Sequence, residues 1–209
     1  GLLIQKVGKL MSKLLYVKAN PKPAALSRTC RIADRFIEVY RKTHPQDEVI
    51  FLDLYKEQIG FLTEEIVTKH GTSEQDRNHP VLKYAYQFKE CDKFVFAEPL
   101  WNLGVPAILK AYIDYISAPG ITFQYTARGP VGLCTGKKAV NITTRGGDYS
   151  KEPLASLEMA DRYLKTILGF LGITDYKTIY ANNLDVVGQD VEAILSDALK
   201  QAEELAKEF

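Results

Sequence analysis

The sequence lacks an excess of charge of either sign and any long hydrophobic run. It contains 27 Lys and Arg residues and 26 Asp and Glu residues, which leaves a formal net charge of +1 at pH 7. No overall field would draw the protein onto nucleic acid or an anionic membrane, so we expect neither as a partner. The longest apolar runs, such as residues 94–97, are far shorter than the roughly 20 residues of a membrane-spanning helix. We expect a cytoplasmic protein.

Cysteine and histidine are also scarce. Cys30, Cys91 and Cys134 are odd in number and widely spaced, so they suit neither a disulfide framework nor a CxxC pair, and we expect buried, reduced thiols. The 3 histidines share no metal-ligand spacing with one another or with a cysteine. We therefore predict no metal centre.

Three common motifs of nucleotide and acyl chemistry are missing. Gly132 and the run Gly136-Lys137-Lys138 have the wrong spacing for a Walker loop, and the hydroxyl residue is absent. No GxGxxG motif follows the first predicted strand, and no GxSxG nucleophile elbow occurs. A Walker-type nucleotide site and a Rossmann dinucleotide fold are therefore disfavoured.

The sequence is rich in short apolar segments that alternate between two patterns, and 46% of its 209 residues are hydrophobic. Runs rich in branched and aromatic residues predict strands buried on both faces, at residues 14–17, 49–52, 94–97, 139–142 and 178–180. Helical spacing of apolar residues occurs at residues 27–43, 81–90, 105–116, 155–171 and 191–205. This alternation predicts an α/β protein with a parallel sheet and helices on both of its faces.

The predicted elements indicate one domain over residues 11–209. Residues 1–10 precede Met11-Ser12-Lys13, which looks like a natural start, so we interpret them as a leader or an extra N-terminal segment. Residues 63–80 are polar and are interpreted as a surface excursion within the domain.

In an open parallel sheet, ligands bind at the carboxyl ends of the strands, where the winding reverses. Three loops should meet there. The first, residues 20–29, places hydroxyls and Arg28 at a helix N-terminus. This favours a phosphate cradle, although a plain helix cap at Ser27 explains the same pattern.

The other two loops follow the third and fourth predicted strands. Residues 98–106 hold the only tryptophan, Trp101, beside Asn102, which favours a flat aromatic ligand over an ordinary turn. Residues 143–149 contain a pair of glycines. The pair either lets a ligand approach the backbone closely or forms a flexible turn.

An ordered series of short segments covers most of the chain. It consists of KANP at 18–21, PLWNL at 99–103, PAILKAYID at 106–114, GITFQYT at 120–126, GPVGL at 129–133, GKKA at 136–139, TTRGG at 143–147 and FLGI at 170–173. This series resembles the FMN-dependent NADH azoreductases of bacteria. The resemblance implies a flavodoxin-like three-layer sandwich with a five-stranded parallel sheet in the order 2-1-3-4-5. It also implies tightly but non-covalently held FMN and a homodimer with two active sites at the subunit interface.

The resemblance assigns residues to the cofactor. The FMN phosphate would be held by Asn20, Ser27, Arg28 and Thr29. One edge of the isoalloxazine ring would be lined by Pro99, Leu100, Trp101, Asn102, Leu103 and Gly104, and its pyrimidine side by Thr144, Arg145, Gly146 and Gly147. Many relatives have Ser in place of Asn20, Thr29 and Thr144, and Tyr in place of Trp101. The loop at residues 181–184 departs from the family pattern and is assigned no role.

The activity implied is a two-electron transfer through FMN to quinones and aromatic azo compounds, which are cleaved to amines. NADH is the expected donor, with NADPH as another, and the mechanism is ping-pong. Because the flavin carries the chemistry, no side chain is assigned as a catalytic residue. Trp101 is expected to form a wall of the acceptor site, with Phe123 and Tyr125 of the second subunit nearby.

Two other functions are weighed against this one. A flavodoxin-type electron carrier would have no substrate pocket of its own, but the first loop lacks the Ser/Thr-x-Thr-Gly-x-Thr pattern and the net charge of +1 is far from the usual acidity. A receiver-type signalling module would need clustered acidic residues after the first strand. This chain has Asn20-Pro21-Lys22 there.

Overall fold

The computed structural model describes residues 11–69 and 78–209. The strands in these residues are Lys13–Lys18 (β1), Glu48–Asp53 (β2), Lys93–Pro99 (β3), Phe123–Thr126 (β4), Gly129–Gly132 (β5), Lys138–Thr144 (β6) and Asp175–Ala181 (β7). The α-helices in the same residues are Arg28–Thr43 (α1), Glu64–Lys69 (α2), Lys83–Glu90 (α3), Ala107–Ile116 (α4), Asp161–Phe170 (α5) and Val191–Glu208 (α6).

The central sheet has five strands in the order β2-β1-β3-β6-β7, all paired in parallel. Numbered among themselves, these strands follow the order 2-1-3-4-5, which agrees with the expected fold. The chain winds from β1 outward to β2, returns to β3 and continues to β7. The winding therefore reverses between β1 and β3, where an open α/β sheet forms its crevice.

The helices cover both faces of the sheet, as the alternating pattern predicts. On one face, α1 and α6 bury a core that contains Phe36, Tyr40 and Leu195 against the sheet. On the other face, α3, α4 and α5 bury a second core around Phe88 and Tyr112. Helix α1 forms because its apolar residues fall on one stripe and because the Ser27 side chain accepts the N–H of Cys30 at its start.

A short antiparallel hairpin of β4 and β5 interrupts the regular alternation. The sequence does not predict this hairpin. Strands 4 and 5 of the predicted order therefore correspond to β6 and β7 of the structure. The signal is weak because β5, Gly129–Gly132, consists of glycines, a proline and one valine, residues that mostly disfavour strands. The hairpin is held instead by packing: a Cβ added to Gly132 would lie 2.3 Å from the backbone of Leu171.

Three predicted elements need correction. The segments at residues 49–52 and 178–180 are strands, but they are not buried on both faces. They lie in β2 and β7 at the two edges of the sheet, where Phe51 is 54% exposed and Tyr180 is 42% exposed. The helix predicted at residues 155–171 is broken, because Glu158 turns back to accept the N–H groups at the start of α5.

Further expectations concern single residues and short segments. Cys30, Cys91 and Cys134 are free and fully buried, as predicted. The proposed leader at residues 1–10 and His70 lie outside the described residues. Within 11–69 and 78–209, we find no helix with the length and apolar character needed to cross a membrane. The same residues hold no group of His, Cys, Asp and Glu side chains that could bind a metal ion.

Candidate functional site

The carboxyl ends of β1, β3 and β6 open into one cavity of about 320 Å³. The three loops predicted from the sequence meet there. The predicted residues that line the cavity are Asn20, Ser27, Arg28, Thr29, Pro99, Leu100, Trp101, Thr144, Arg145 and Gly146. Two further residues, Lys22 and Asp185, line it but were not predicted.

The first loop combines a helix cap with a set of free donors. The Ser27 hydroxyl oxygen accepts the N–H of Cys30 at 3.0 Å and a hydrogen of the Asn20 amide at 3.1 Å. The cap interpretation of Ser27 is therefore correct. It does not compete with a phosphate site, because the other N–H groups of the first helical turn have no partner within the helix. The side chain of Lys22 adds a positive charge at the same cavity.

A buried contact joins the first loop to the third. The hydroxyl oxygens of Thr29 and Thr144 lie 2.6 Å apart, and both side chains are buried. One hydroxyl hydrogen is used in this contact, so the pair keeps the other for a ligand. The contact fixes the distance between the N-terminus of α1 and the end of β6, which form two walls of the cavity.

Arg28 lines the cavity and is held in place by the loop after β7. Its guanidinium donates to the carbonyl oxygen of Leu184 at 3.3 Å and to the carboxylate of Asp185 at 3.2 Å. Both members of the ion pair are well exposed, so the pair adds little to stability. Its effect is to orient a cation toward an anionic ligand.

The loop after β7, which the sequence analysis left without a role, supports the third loop. The N–H groups of Asn183, Leu184 and Asp185 donate to the carbonyl oxygens of Gly147, Arg145 and Gly146 at 3.0, 3.2 and 3.1 Å, respectively. The position of this loop could have been found from the sequence, because it follows the fifth strand and the carboxyl ends of parallel strands share one edge. Its departure from the family pattern hid that signal.

The second loop is a tight turn with a strained backbone. Trp101 and Gly104 exchange two backbone hydrogen bonds of 3.0 Å, and the residues between them have positive φ values, 51° at Asn102 and 68° at Leu103. Asparagine tolerates this conformation, whereas leucine rarely adopts it. The turn uses the N–H groups of Trp101 and Gly104, so those of Asn102 and Leu103 are not used in it. The Leu103 carbonyl accepts the N–H of Met159 at 2.8 Å, which anchors the turn.

Arg145 lines the cavity, but its guanidinium is enclosed by protein beneath the third loop. Its side chain is buried, its guanidinium faces the Glu158 carboxylate at 3.8 Å, and its charge lies 4.9 Å from the centre of the Tyr180 ring. Its backbone belongs to the cavity wall. The positive charge thus acts on the cavity from below, through protein rather than water, where screening is weak.

The glycine pair at residues 146–147 lies in a crowded part of the site. A Cβ on Gly146 would lie 2.7 Å from the Asp185 carboxylate, and one on Gly147 would lie 3.3 Å from Leu154. A flexible turn alone does not explain this crowding. The pair lets the third loop pack tightly against the loop after β7 while its backbone faces the cavity.

Phe123 and Tyr125 do not line the cavity of their own chain. Phe123 is buried and packs on Phe170, with ring centres 5.0 Å apart, whereas Tyr125 is 72% exposed on the hairpin. Only Tyr125 therefore offers a free ring surface. A role of these residues in the acceptor site of a second subunit stays a prediction.

These residues fit FMN. Hydroxyls, Arg28 and helix N–H groups suit a phosphate, whereas Trp101, the neighbouring turn and the glycine loop suit a flat ring with polar edges. The sequence profile of the family described as "Flavodoxin-like fold" matches residues 12–206.

Individual proteins similar to this chain show which members of the family it resembles. The chain is 62% identical to "FMN-dependent NADH:quinone oxidoreductase 2" of Clostridium acetobutylicum over 200 residues. The aligned residues cover 95% of this chain and 100% of that protein. An azoreductase structure from Bacillus anthracis matches with a TM-score of 0.87 and 37% identity, covering 95% of this chain and 100% of that one. An FMN-dependent NADH-azoreductase from Bacillus anthracis in complex with FMN matches with a TM-score of 0.86 and 27% identity, covering 95% and 99%. The chain therefore belongs to the flavodoxin-like family that includes these quinone and azo reductases, which confirms the resemblance seen in the sequence.

Proposed function

We propose that this chain is an FMN-dependent oxidoreductase that moves two electrons from NADH to quinones and aromatic azo compounds by a ping-pong mechanism. The observation that carries the proposal is the cavity shared by the carboxyl ends of β1, β3 and β6. Groups that can bind a phosphate line one side of it, and an exposed tryptophan lines the other. The names of the relatives support the enzyme class, the cofactor and the donor.

FMN held in this cavity would supply two-electron redox chemistry between NADH and a quinone or an azo bond, with the accompanying proton taken from solvent. The protein supplies binding, orientation and charge. Ser27, Arg28, Thr29 and Asn20 hold the phosphate, with Lys22 adding charge. These contacts orient the ring toward the second and third loops.

The remaining residues tune the ring and position the substrates. The backbone N–H groups of Asn102 and Leu103 would donate to one polar edge of the ring. The loop of Arg145, Gly146 and Gly147 would face the pyrimidine side, where it would stabilise negative charge. No side chain is required to move a proton at the reacting atoms. Cleaving an azo bond to two amines takes two cycles, whereas a quinone takes one, so quinone reduction is the simpler use of the site.

A second copy of the chain covers the mouth of the site in this proposal. Several large apolar side chains are exposed: Trp101 at the cavity, Leu103 in the same turn, and Tyr125, Leu157, Met159 and Phe170 elsewhere on the surface. Such surface is usually buried in an interface. We expect a homodimer in sedimentation experiments, and a monomer at micromolar concentration would contradict this part of the proposal. A cytoplasmic location and a single domain over residues 11–209 stay predictions.

The decisive experiment is steady-state NADH oxidation by the purified, FMN-loaded protein, with a quinone or an azo dye and with no other protein present. Sustained turnover with parallel lines in double-reciprocal plots is expected of a ping-pong enzyme. Slow reduction without turnover would favour an electron carrier. A colourless protein that takes up no FMN would overturn the proposal.

A further inference from the structure

A group of buried ionisable side chains lies beneath the cavity. Glu98 is in β3, directly before Pro99, which lines the cavity. Asp161 begins α5, Glu158 precedes it, and Arg145 follows β6. None of the three carboxyl groups has a role in the proposed reaction.

Two of the three carboxyl groups are well supplied with hydrogen-bond donors. Asp161 accepts from the Asn141 amide at 3.0 Å and from the hydroxyls of Tyr176 and Thr178 at 2.5 and 2.7 Å. Glu158 accepts three backbone N–H groups at the start of α5 and faces Arg145. Both carboxyl groups are therefore well solvated by protein donors.

Glu98 differs from both. It is fully buried, and neither of its oxygens has a hydrogen-bond partner in the part of the chain that the structure describes. Other atoms of the same layer are also buried without partners in that part: the side-chain oxygens of Asn141 and Thr143 and the Nε of Arg145. An ionised Glu98 would therefore be a buried charge whose oxygens accept no hydrogen bond from the described residues, which is unfavourable.

The surroundings of Glu98 favour its neutral form. Burial raises the pKa of Glu98 to about 8, and the carboxylates of Asp161 and Glu158 act in the same direction. The Asn141 amide and the Arg145 guanidinium act against this shift but do not cancel it. From β7, Tyr176 faces the same layer and donates its hydroxyl hydrogen to Asp161.

We propose that Glu98 is a positioning residue that takes up a proton from solvent when negative charge enters the cavity, and so leaves the positive charge of Arg145 available to the ligand. The inference rests on the proposed function and deepens it. An ionised Glu98 would offer the unpaired Nε of Arg145 a second carboxylate and draw that charge away from the cavity. Protonation of one Glu98 oxygen removes this competition.

Linkage gives the proposal a definite sign. Negative charge in the cavity stabilises the neutral acid, so FMN binding raises the pKa of Glu98. FMN must then bind most tightly below the pKa of the free protein, and its affinity must fall as pH rises through about 8.

The experiment measures FMN affinity of the flavin-free full chain from about pH 6.5 to 9.5, by quenching of FMN fluorescence. For the natural protein we expect the dissociation constant to rise on the order of tenfold over this range, the effect of one unit charge at moderate distance in a protein interior. For Glu98→Gln, which is neutral at every pH, we expect a change of less than about twofold. Titration of FMN itself is common to both proteins and cancels.

A matched control removes another carboxyl. Glu57 accepts the hydroxyl of Tyr84 and does not line the cavity. Glu57→Gln should therefore keep the pH profile of the natural protein. A flat profile in the natural protein, or the same slope in Glu98→Gln, would overturn the inference. Equal weakening of FMN binding by Glu98→Gln at every pH would make Glu98 a packing residue only and would also overturn it.

A second measurement needs no variant. Calorimetry of FMN binding near pH 8 in two buffers with different ionisation enthalpies reports the protons taken up. We expect net uptake by the natural protein, and no uptake would overturn the inference even if Glu98→Gln does not fold. Absence of FMN binding at every pH would overturn the proposed function and this inference with it, whereas pH-independent binding would overturn the inference alone.

Discussion

The polar groups at the two ends of the central sheet differ in whether they bond to one another. At the amino ends, Asp47 accepts the N–H of Ser12 at 2.9 Å and the hydroxyl of Tyr40, and it faces the Lys93 ammonium at 3.6 Å. The Lys93 ammonium also donates to the Tyr40 hydroxyl at 2.8 Å. At the carboxyl ends, a strained turn and helix N–H donors border an open cavity. Beneath it lies the buried carboxyl of Glu98, which has no hydrogen-bond partner among residues 11–69 and 78–209.

This difference suggests that the amino ends contribute to the stability of the fold and the carboxyl ends to ligand binding. Polar groups that satisfy one another hold the fold together and leave nothing for a ligand. Groups held apart by the fold cost stability in the free protein and recover it when a ligand fills the cavity. Substitutions at the amino ends should therefore change unfolding, and substitutions at the carboxyl ends should mainly change FMN or substrate binding.

The strongest test of this separation is the double substitution Ser27→Ala with Thr29→Ala. Charge-assisted hydrogen bonds to a phosphate are each worth roughly 1.5–3 kcal/mol, so FMN affinity should fall about 100-fold. Fluorescence titration measures it. The matched control is Thr43→Ala at the other end of α1, where the hydroxyl donates to Val39. Equal affinity in the double variant and the control would remove the first loop from the site.

The converse test is Asp47→Ala at the amino ends. Removing this acceptor leaves buried donors without a partner, so the free energy of unfolding should fall by about 2 kcal/mol while FMN affinity stays unchanged. Chemical denaturation and fluorescence titration measure the two quantities. A loss of FMN affinity without a loss of stability would contradict the separation.

The same aspartate gives the comparison a pH dependence. Burial acts to raise the pKa of Asp47, but hydrogen bonds from Tyr40 and Ser12 and the charge of Lys93 outweigh it, so the pKa lies below its usual range. The lowered pKa stabilises the protein above about pH 4, and this contribution is lost as pH falls through the pKa of the folded state. The free energy of unfolding of the natural protein should therefore converge on that of Asp47→Ala in acid. A constant gap between the two proteins from about pH 7 to 3 would contradict this.

A smaller effect is expected at Gly146. In Gly146→Ala the new methyl group must displace the Asp185 carboxylate, which breaks its ion pair with Arg28, so FMN affinity should fall by about 1 kcal/mol. Asp185→Ala, which removes the same ion pair without crowding the third loop, should lower FMN affinity by a similar amount. Gly169→Ala, where the added carbon meets nothing within 4 Å, is the control. No difference between the two glycine substitutions would mean that the third loop yields freely.

The smallest effect concerns substrate choice. Trp101 is 40% exposed at the cavity, and if it stacks on acceptors, Trp101→Ala should change kcat/KM unequally among quinones and azo dyes, by roughly 0.5–1.5 kcal/mol. FMN should stay bound. Phe61→Ala, a change at an aromatic residue that is 80% exposed and does not line the cavity, should leave the ranking unchanged. A uniform fall across all acceptors with lower thermal stability would make Trp101 a packing residue.

The elements and three loops were predictable because their signals are local. Buried strands, the stripe of α1 and the hydroxyls after β1 each lie within a few consecutive residues. The parts that were missed depend on distant partners. The break before α5 arises because Glu158 caps the helix and meets Arg145, the role of Asp185 arises from contacts with Arg28 and Gly146, and the unpaired state of Glu98 is visible only once its neighbours are in place.

The short segment at residues 158–160 has a consequence for protein engineering. Glu158 caps α5 and holds Arg145, while the next residue, Met159, holds the turn at Leu103. A turn grafted from a relative in place of the Trp101 turn, to transfer that relative's substrate range, would therefore need the same hydrogen bond from the Met159 N–H to keep its shape. Because this anchor is a backbone N–H, such a transplant should depend on the Glu158 cap that fixes residues 158–160 and not on the side chain of residue 159.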